Sequence, residues 1–217
     1  MNVEQARFNM IEQQIRPWDV LNQNVLSLLA VVKREDFVPP AYRLIAFVDT
    51  EVPLPGGQNM LAPKIEARLL QELGVRRHER VLEVGAGSGY MAALLAHQAQ
   101  HVTTMEIVPE LVKMASDNLR HAAVMNVNVV QANGCRGLVA EAPFDVILLS
   151  GSVAEVPSAL LSQLKIGGRL AAIVGRQPIM RATLVTRNTE QAYSSVDLFD
   201  TVAARLKGFD EPNRFSF

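Results

Sequence analysis

The chain has 217 residues, a formal net charge of −1 and 49% hydrophobic residues, enough for one sizeable core with an accessory segment packed beside it. The near-neutral charge argues against nucleic acid or an acidic polymer as the main partner, because phosphate binding needs clustered Lys and Arg, and the short Arg76-Arg77-His78 cluster reads as a solvated turn. Neither a long uninterrupted apolar run nor a signal-peptide pattern is visible, so the expectation is a cytoplasmic protein without membrane contact, monomeric or weakly self-associating. Cys135 stands alone, which rules out an internal disulfide, and it reads as a loop residue more readily than as a nucleophile. His78, His97, His101 and His121 show no metal-ligand spacing, and no metal is expected.

Along the chain, Leu21, Val25, Leu28, Leu29 and Val32 recur at steps of three and four and predict an amphipathic helix capped by Asn22 or Asp19. Ile15 and Trp18 before it read as anchors for that helix rather than as a cover for a cleft. The paired Pro39-Pro40 ends the helical region. From Val52 to Pro63 three prolines and two glycines surround Gln58-Asn59-Met60-Leu61, too punctuated for a regular element, so a functional loop is expected. Pro63 opens a helix that buries Ile65, Leu69, Leu70 and Leu73.

Strand and helix patterns then alternate. Strands are expected at Val81 to Val84, Val102 to Glu106, Val127 to Val130, Phe144 to Leu149 and Arg169 to Val174. Helices are expected at Ser88 to Gln98, Pro109 to His121 and Pro157 to Leu164, the last stopped by Gly167-Gly168. Two β-rich segments follow, Ala182 to Thr186 and Tyr193 to Ala203, and read as an antiparallel edge. The fold class is therefore α/β, a Rossmann-like, doubly wound, mostly parallel seven-stranded sheet with helices on both faces. Residues 1–63 are expected as an N-terminal helical segment and substrate-side loop packed on a core domain of residues 64–217. Phe209, Phe215 and Phe217 make an aromatic tail that is expected to dock on the domain.

The most informative stretch is Val81 to Tyr90, an apolar strand carrying Glu83 that runs into Gly85, Ala86, Gly87, Ser88 and Gly89. Glycines without a Cβ let the backbone take positive φ and let a ligand lie against it. The G-x-G-x-G spacing differs from the dinucleotide fingerprint G-x-G-x-x-G and is the spacing of S-adenosylmethionine (SAM) methyltransferases. Glu106 ends the next strand about 20 residues on, where an acid accepts from ribose hydroxyls. Together with Ile107 beside it, these residues are the expected cofactor contacts. In such a sheet ligands lie beyond the carboxyl ends of the strands, which adds the loops holding Asn133-Gly134 and Ser150-Gly151-Ser152. Asn133 offers an amide oxygen to adenine, and Ser150 or Ser152 reaches substrate; a plain turn and a helix cap are the competing readings.

Taken together, several co-linear segments resemble the protein-L-isoaspartate O-methyltransferase family. Arg34-Glu35-Asp36-Phe37-Val38-Pro39 resembles its P-R-E-x-F-V-P segment, and Pro53 to Gln58 its loop ending in Gly-Gln. Val81 to Tyr90 matches its glycine motif closely, while Ala142-Pro143-Phe144-Asp145, Glu155-Val156-Pro157 and Gln163 to Leu170 resemble later motifs. The resemblance implies SAM as cofactor and methyl transfer to isoaspartyl carboxylates of damaged proteins or peptides, with Asn59 and Ser150 positioning the substrate. One departure stands out: the family's Thr-Ile-Ser after the Gly-Gln pair is Asn59-Met60-Leu61 here. Losing a hydroxyl bonded to a charged acceptor, about 1.5–3 kcal/mol, slows a reaction roughly 10- to 100-fold. Asn133 stands where the family has aspartate, and its amide oxygen is still an acceptor. Three readings stay open from sequence: an isoaspartyl methyltransferase, a methyltransferase with another acceptor, and a SAM-binding protein without turnover.

Overall fold

Seven strands form one sheet in the order β5-β4-β3-β6-β7-β8-β9. In the computed structural model, which describes residues 2–209, they are β3 (Arg80–Val84), β4 (His101–Glu106), β5 (Val127–Gln131), β6 (Phe144–Val153), β7 (Leu164–Arg176), β8 (Ile179–Arg187) and β9 (Tyr193–Thr201). The first five pair in parallel, and β7, β8 and β9 form an antiparallel meander at one edge, as the two late β-rich segments predicted. β3 and β6 lie at the centre, covered on both faces, which is why Val146 to Leu149 is an unbroken apolar run.

Helices follow the expected amphipathic logic. α3 (Pro63–Leu73) starts at a proline, buries Ile65, Leu69, Leu70 and Leu73, and stops at Gly74 in the left-handed conformation (φ 52°). α4 (Tyr90–Ala96) is buried along its whole length. α5 (Pro109–His121) buries Leu111, Ala115 and Leu119, with Glu110 in its first turn and Arg120 and His121 in its last, the charge order that its dipole favours.

The N-terminal residues hold more helix than periodicity indicated. α1 (Val3–Asn9) runs into a wider turn over Met10–Ile15 before α2 (Gln23–Val31), which Asn22 caps by accepting from the N–H groups of Asn24 and Val25. Ile15 is fully buried, and Trp18 packs edge-on against Phe199 at 6.0 Å, so both act as anchors. Met10, Ile15, Leu29, Leu70, Leu94 and Val146 share one apolar cluster, which joins the N-terminal helices to the sheet.

Two sequence expectations are corrected. Val52 to Pro63 holds a β-hairpin rather than an irregular loop: β1 (Val52–Leu54) pairs antiparallel with β2 (Gln58–Met60) around Pro55-Gly56-Gly57. The prolines sit where no ladder N–H is needed, and the glycines serve the turn. The helix expected at Pro157 to Leu164 shrinks to α6 (Ser158–Leu161), and Gly167-Gly168 lie inside β7 instead of ending a helix. After β9 the chain returns to the sheet centre. Arg205 bridges in parallel to Ser152, whose N–H and carbonyl bond Ala204 (2.8 Å) and Leu206 (3.0 Å). Residues 203–209 thus form a strap over the carboxyl end of β6. Phe209 packs on the second apolar cluster; Phe215 and Phe217 lie outside the described residues.

Candidate active site

β3 ends between β4 and β6, so the chain segments leaving those strands converge on the glycine loop. Gly85 (φ 95°) and Gly87 (φ 52°) both take the left-handed conformation, and the Gly85 and Ala86 N–H groups bond the Met105 carbonyl at 2.8 and 3.2 Å. The loop is held to the end of β4 in this way, and a flat backbone surface faces the cleft. A Cβ built on Gly87 would lie 3.2 Å from Leu54 of the hairpin, and one on Gly85 only 2.7 Å from Leu206 of the strap. Hairpin and strap therefore close over the loop from two sides.

Glu106 stands at the end of β4 and is almost fully buried. Its Oε2 accepts from the Gly87 N–H (3.0 Å), and its Oε1 accepts from Ile107 (2.9 Å) and Val108 (3.0 Å). Three backbone donors hold one carboxylate at the mouth, in the position where a ribose would meet it. A narrow cleft opens here, lined by Gly85, Gly87, Glu106, Ile107, Gly134 and, on the facing side, Asn59, Ser150, Leu206, Lys207 and Phe209.

Behind it, a second small space is lined by Asn59, Met60, Leu61, Glu66, Glu83, Ser88, Tyr90 and Ser150. Glu83 is fully buried; Ser150 donates to its Oε1 (2.6 Å) and Thr104 to its Oε2 (2.7 Å). Burial pushes its carboxyl up to about 7, against the pull of those two hydroxyls and with a small push from Glu106. Glu66 is paired with the buried Arg34, which also donates to the carbonyls of Leu61 (2.8 Å) and Ala46 (3.1 Å). Burial raises the Glu66 carboxyl above the ordinary range and the guanidinium opposes it. The Tyr90 hydroxyl is buried with no hydrogen-bond partner among the described residues, and burial pushes its phenol up. A polar group left unpaired beside an open chamber is a group waiting for a ligand atom.

Of the residues predicted from sequence, the structure brings Glu83, Gly85, Gly87, Glu106, Ile107, Gly134, Asn59 and Ser150 to these two connected spaces, with Ala86 and Ser88 lining the inner one. Gly89 instead lets α4 approach α5, since a Cβ there would sit 3.1 Å from the Ala115 Cα. Asn133 turns its amide oxygen onto the Cys135 N–H (3.0 Å) and its nitrogen towards the Gly208 carbonyl (3.5 Å), tying the strap. Ser152, a candidate for substrate contact, is fully buried and donates to the Ala203 carbonyl (2.9 Å); it anchors the strap and does not reach the cleft. Sequence reasoning missed Leu206 and Lys207, and also Glu66, Arg34 and Tyr90 as site residues; Phe209 was expected to dock on the domain but not to line the cleft. The signal for Glu66 was an acid on the apolar side of α3; Leu206 and Lys207 gave none.

A glycine cradle that a Cβ would fill, an acid held at the end of the second parallel strand and an unpaired polar atom beyond the loop fit an adenosyl amino acid cofactor. Fold and site together define a SAM-dependent methyltransferase. The chain belongs to the protein-L-isoaspartate(D-aspartate) O-methyltransferase family, whose model matches residues 5–202. It is 40% identical over 181 residues to the protein-L-isoaspartate O-methyltransferase of Koribacter versatilis, covering 83% of this chain and 81% of that protein. It is 38% identical over 200 residues to that of Rhodopseudomonas palustris, covering 92% of both. A Plasmodium falciparum protein of the same name, solved with S-adenosyl-L-homocysteine (SAH), superposes with a TM-score of 0.78 over 95% of this chain and 99% of that chain at 21% identity, a likeness of fold.

Proposed function

We propose that this enzyme methylates the free carboxylate of isoaspartyl residues in damaged proteins, as the first step of their repair, in the cytoplasm. The observation that carries the reading is the single cleft that joins Asn59 and Ser150 to Gly85, Gly87 and Glu106, in a chain of this family. A lone unpaired cysteine fits a reducing compartment.

SAM, when bound, supplies an electrophilic methyl group on a cationic sulfur. Gly85 and Gly87 would admit it against bare backbone, Glu106 would take the ribose, and Glu83 and Tyr90 would serve its amino acid end, while Gly134 lets its loop pack on Val84 beside the cleft. An isoaspartyl carboxylate has an ordinary pKa near 4 and is already a nucleophile at neutral pH, so no residue has to remove a proton. The protein's work is orientation, an effect of about 7–11 kcal/mol when complete. Asn59 faces the entering carboxylate from the hairpin with the amide proton that Glu51 leaves free, Ser150 fixes the wall on the β6 side through its bond to Glu83, and Met60, Leu61 and Met91 keep the inner wall dry.

One observation favours a second reading, a different acceptor. Leu61 is buried where the family's serine would be, and the Asn59 amide is engaged by Glu51 at 2.8 Å. Transfer of labelled methyl to an isoaspartyl peptide and to its aspartyl counterpart decides between them.

A further inference from the structure

The described residues that line the cleft and the chamber behind it include three carboxylates, Glu66, Glu83 and Glu106, and a single cation, Lys207. Arg34 neutralises Glu66 and burial favours the protonated form of Glu83, so an anionic acceptor meets chiefly the like charge of Glu106; beyond the cationic sulfur that SAM brings, a cation of the protein's own at the entrance would attract it. Two nearby cations are already committed. Arg34 is held by Glu66 and two carbonyls, while Lys64 binds Asp49 (2.6 Å) and lies over the Trp18 ring at 4.0 Å.

Lys207 is placed differently. It is exposed on the strap, and its Nζ donates to the Gly56 carbonyl, in the turn of the hairpin whose second strand carries Asn59. Among the described residues no carboxylate pairs with it. An ammonium has three donors, so two remain once Gly56 is bonded. The other polar groups facing the acceptor have fewer protons to give: the Ser150 proton is on Glu83, one of the two Asn59 amide protons is on Glu51, one of the two Gln58 amide protons is on the Gly57 carbonyl (3.3 Å), and the Ser88 hydroxyl lies against the Met60 sulfur at 3.6 Å.

We infer that Lys207 is the specificity-determining cation that docks the acceptor carboxylate, with the C-terminal strap supplying from above what the Asn59-Met60-Leu61 segment lacks in hydroxyls. The inference rests on the proposed anionic acceptor. It makes the strap part of the substrate site as well as a cover for the cofactor.

The test measures binding of an isoaspartyl peptide to the SAH-loaded protein by calorimetry, beside peptide KM and kcat, for wild type, Lys207→Met, Lys207→Arg and the remote control Lys113→Met. The expected result is peptide Kd and KM raised about 10- to 100-fold in Lys207→Met. Lys207→Arg and Lys113→Met stay near wild type, SAH affinity is unchanged, and the salt dependence of peptide binding flattens in Lys207→Met. Unchanged peptide affinity in Lys207→Met overturns the inference, and so does a loss of SAH affinity that matches the loss of peptide affinity, since that marks a mere clamp on the strap. Wild type that binds the peptide without methylating it sinks the proposed reaction alone, and Lys207 is then judged on binding. Wild type that fails even to bind it sinks both.

Discussion

Ser150 donates its hydroxyl proton to Glu83 at 2.6 Å, and that bond links the acceptor side of the cleft to the strand that carries the glycine loop. A serine has one proton to give, so Ser150 turns only lone pairs towards the cleft while Glu83 holds it. It fixes a wall and orients Glu83. It cannot simultaneously donate to an incoming carboxylate.

The buried Glu83 makes stability depend on pH in a stated direction. Its folded-state value, about 7, lies above the 4.5 of an unperturbed glutamate, so the folded protein holds a proton that the unfolded chain has released between those limits. Stability therefore falls as pH rises from about 4.5 to about 7, by on the order of 3 kcal/mol from this group. Glu83→Gln keeps the shape and removes that slope. Urea unfolding of both proteins at several pH values checks it, and parallel curves would reject the assignment.

Gly87→Val should abolish SAH binding, raising Kd at least about 100-fold. The left-handed φ costs an L-residue about 1–2 kcal/mol, and the side chain would press on Leu54 and fill the cradle. Calorimetric titration measures the loss, with circular dichroism to show that the variant folds. Normal binding by a folded variant would mean that the cofactor lies elsewhere.

How much of this was legible beforehand depended on the range of the interactions. The glycine loop and Glu106 announce themselves because their chemistry is local: a bare backbone turn and an acid at the end of the adjoining strand. The hairpin did not. Pro53, Pro55, Gly56 and Gly57 read as breakers, and only the pairing of Val52 with Met60 makes a ladder of them. Gly167-Gly168 misled for a similar reason, since glycines stop helices but also sit at irregular points of long strands such as β7, where the register with β6 shifts. Apart from the aromatic Phe209, which was expected to dock, the strap was illegible. Leu206 meets Gly85, and Lys207 meets Gly56, across most of the chain, with no periodicity to betray either contact.

Arg34 and Glu66 support the chamber from behind, and breaking that pair should be costly. Arg34→Met leaves a buried carboxylate and two carbonyls unpaired, for an expected loss of about 3–5 kcal/mol. The double variant Arg34→Met with Glu66→Leu should recover more than half of it, because the stranded charge goes too. Denaturant midpoints at constant m report both, and equal losses in the single and double variants would contradict this account.

The most direct test of the central claim is transfer of labelled methyl from SAM to an isoaspartyl peptide, with its normal aspartyl twin as control. The cleft geometry and family membership predict a base-labile methyl ester on the isoaspartyl peptide and none on its twin. No label on the isoaspartyl peptide, at enzyme concentrations matching the peptide and with SAH binding intact, would contradict it.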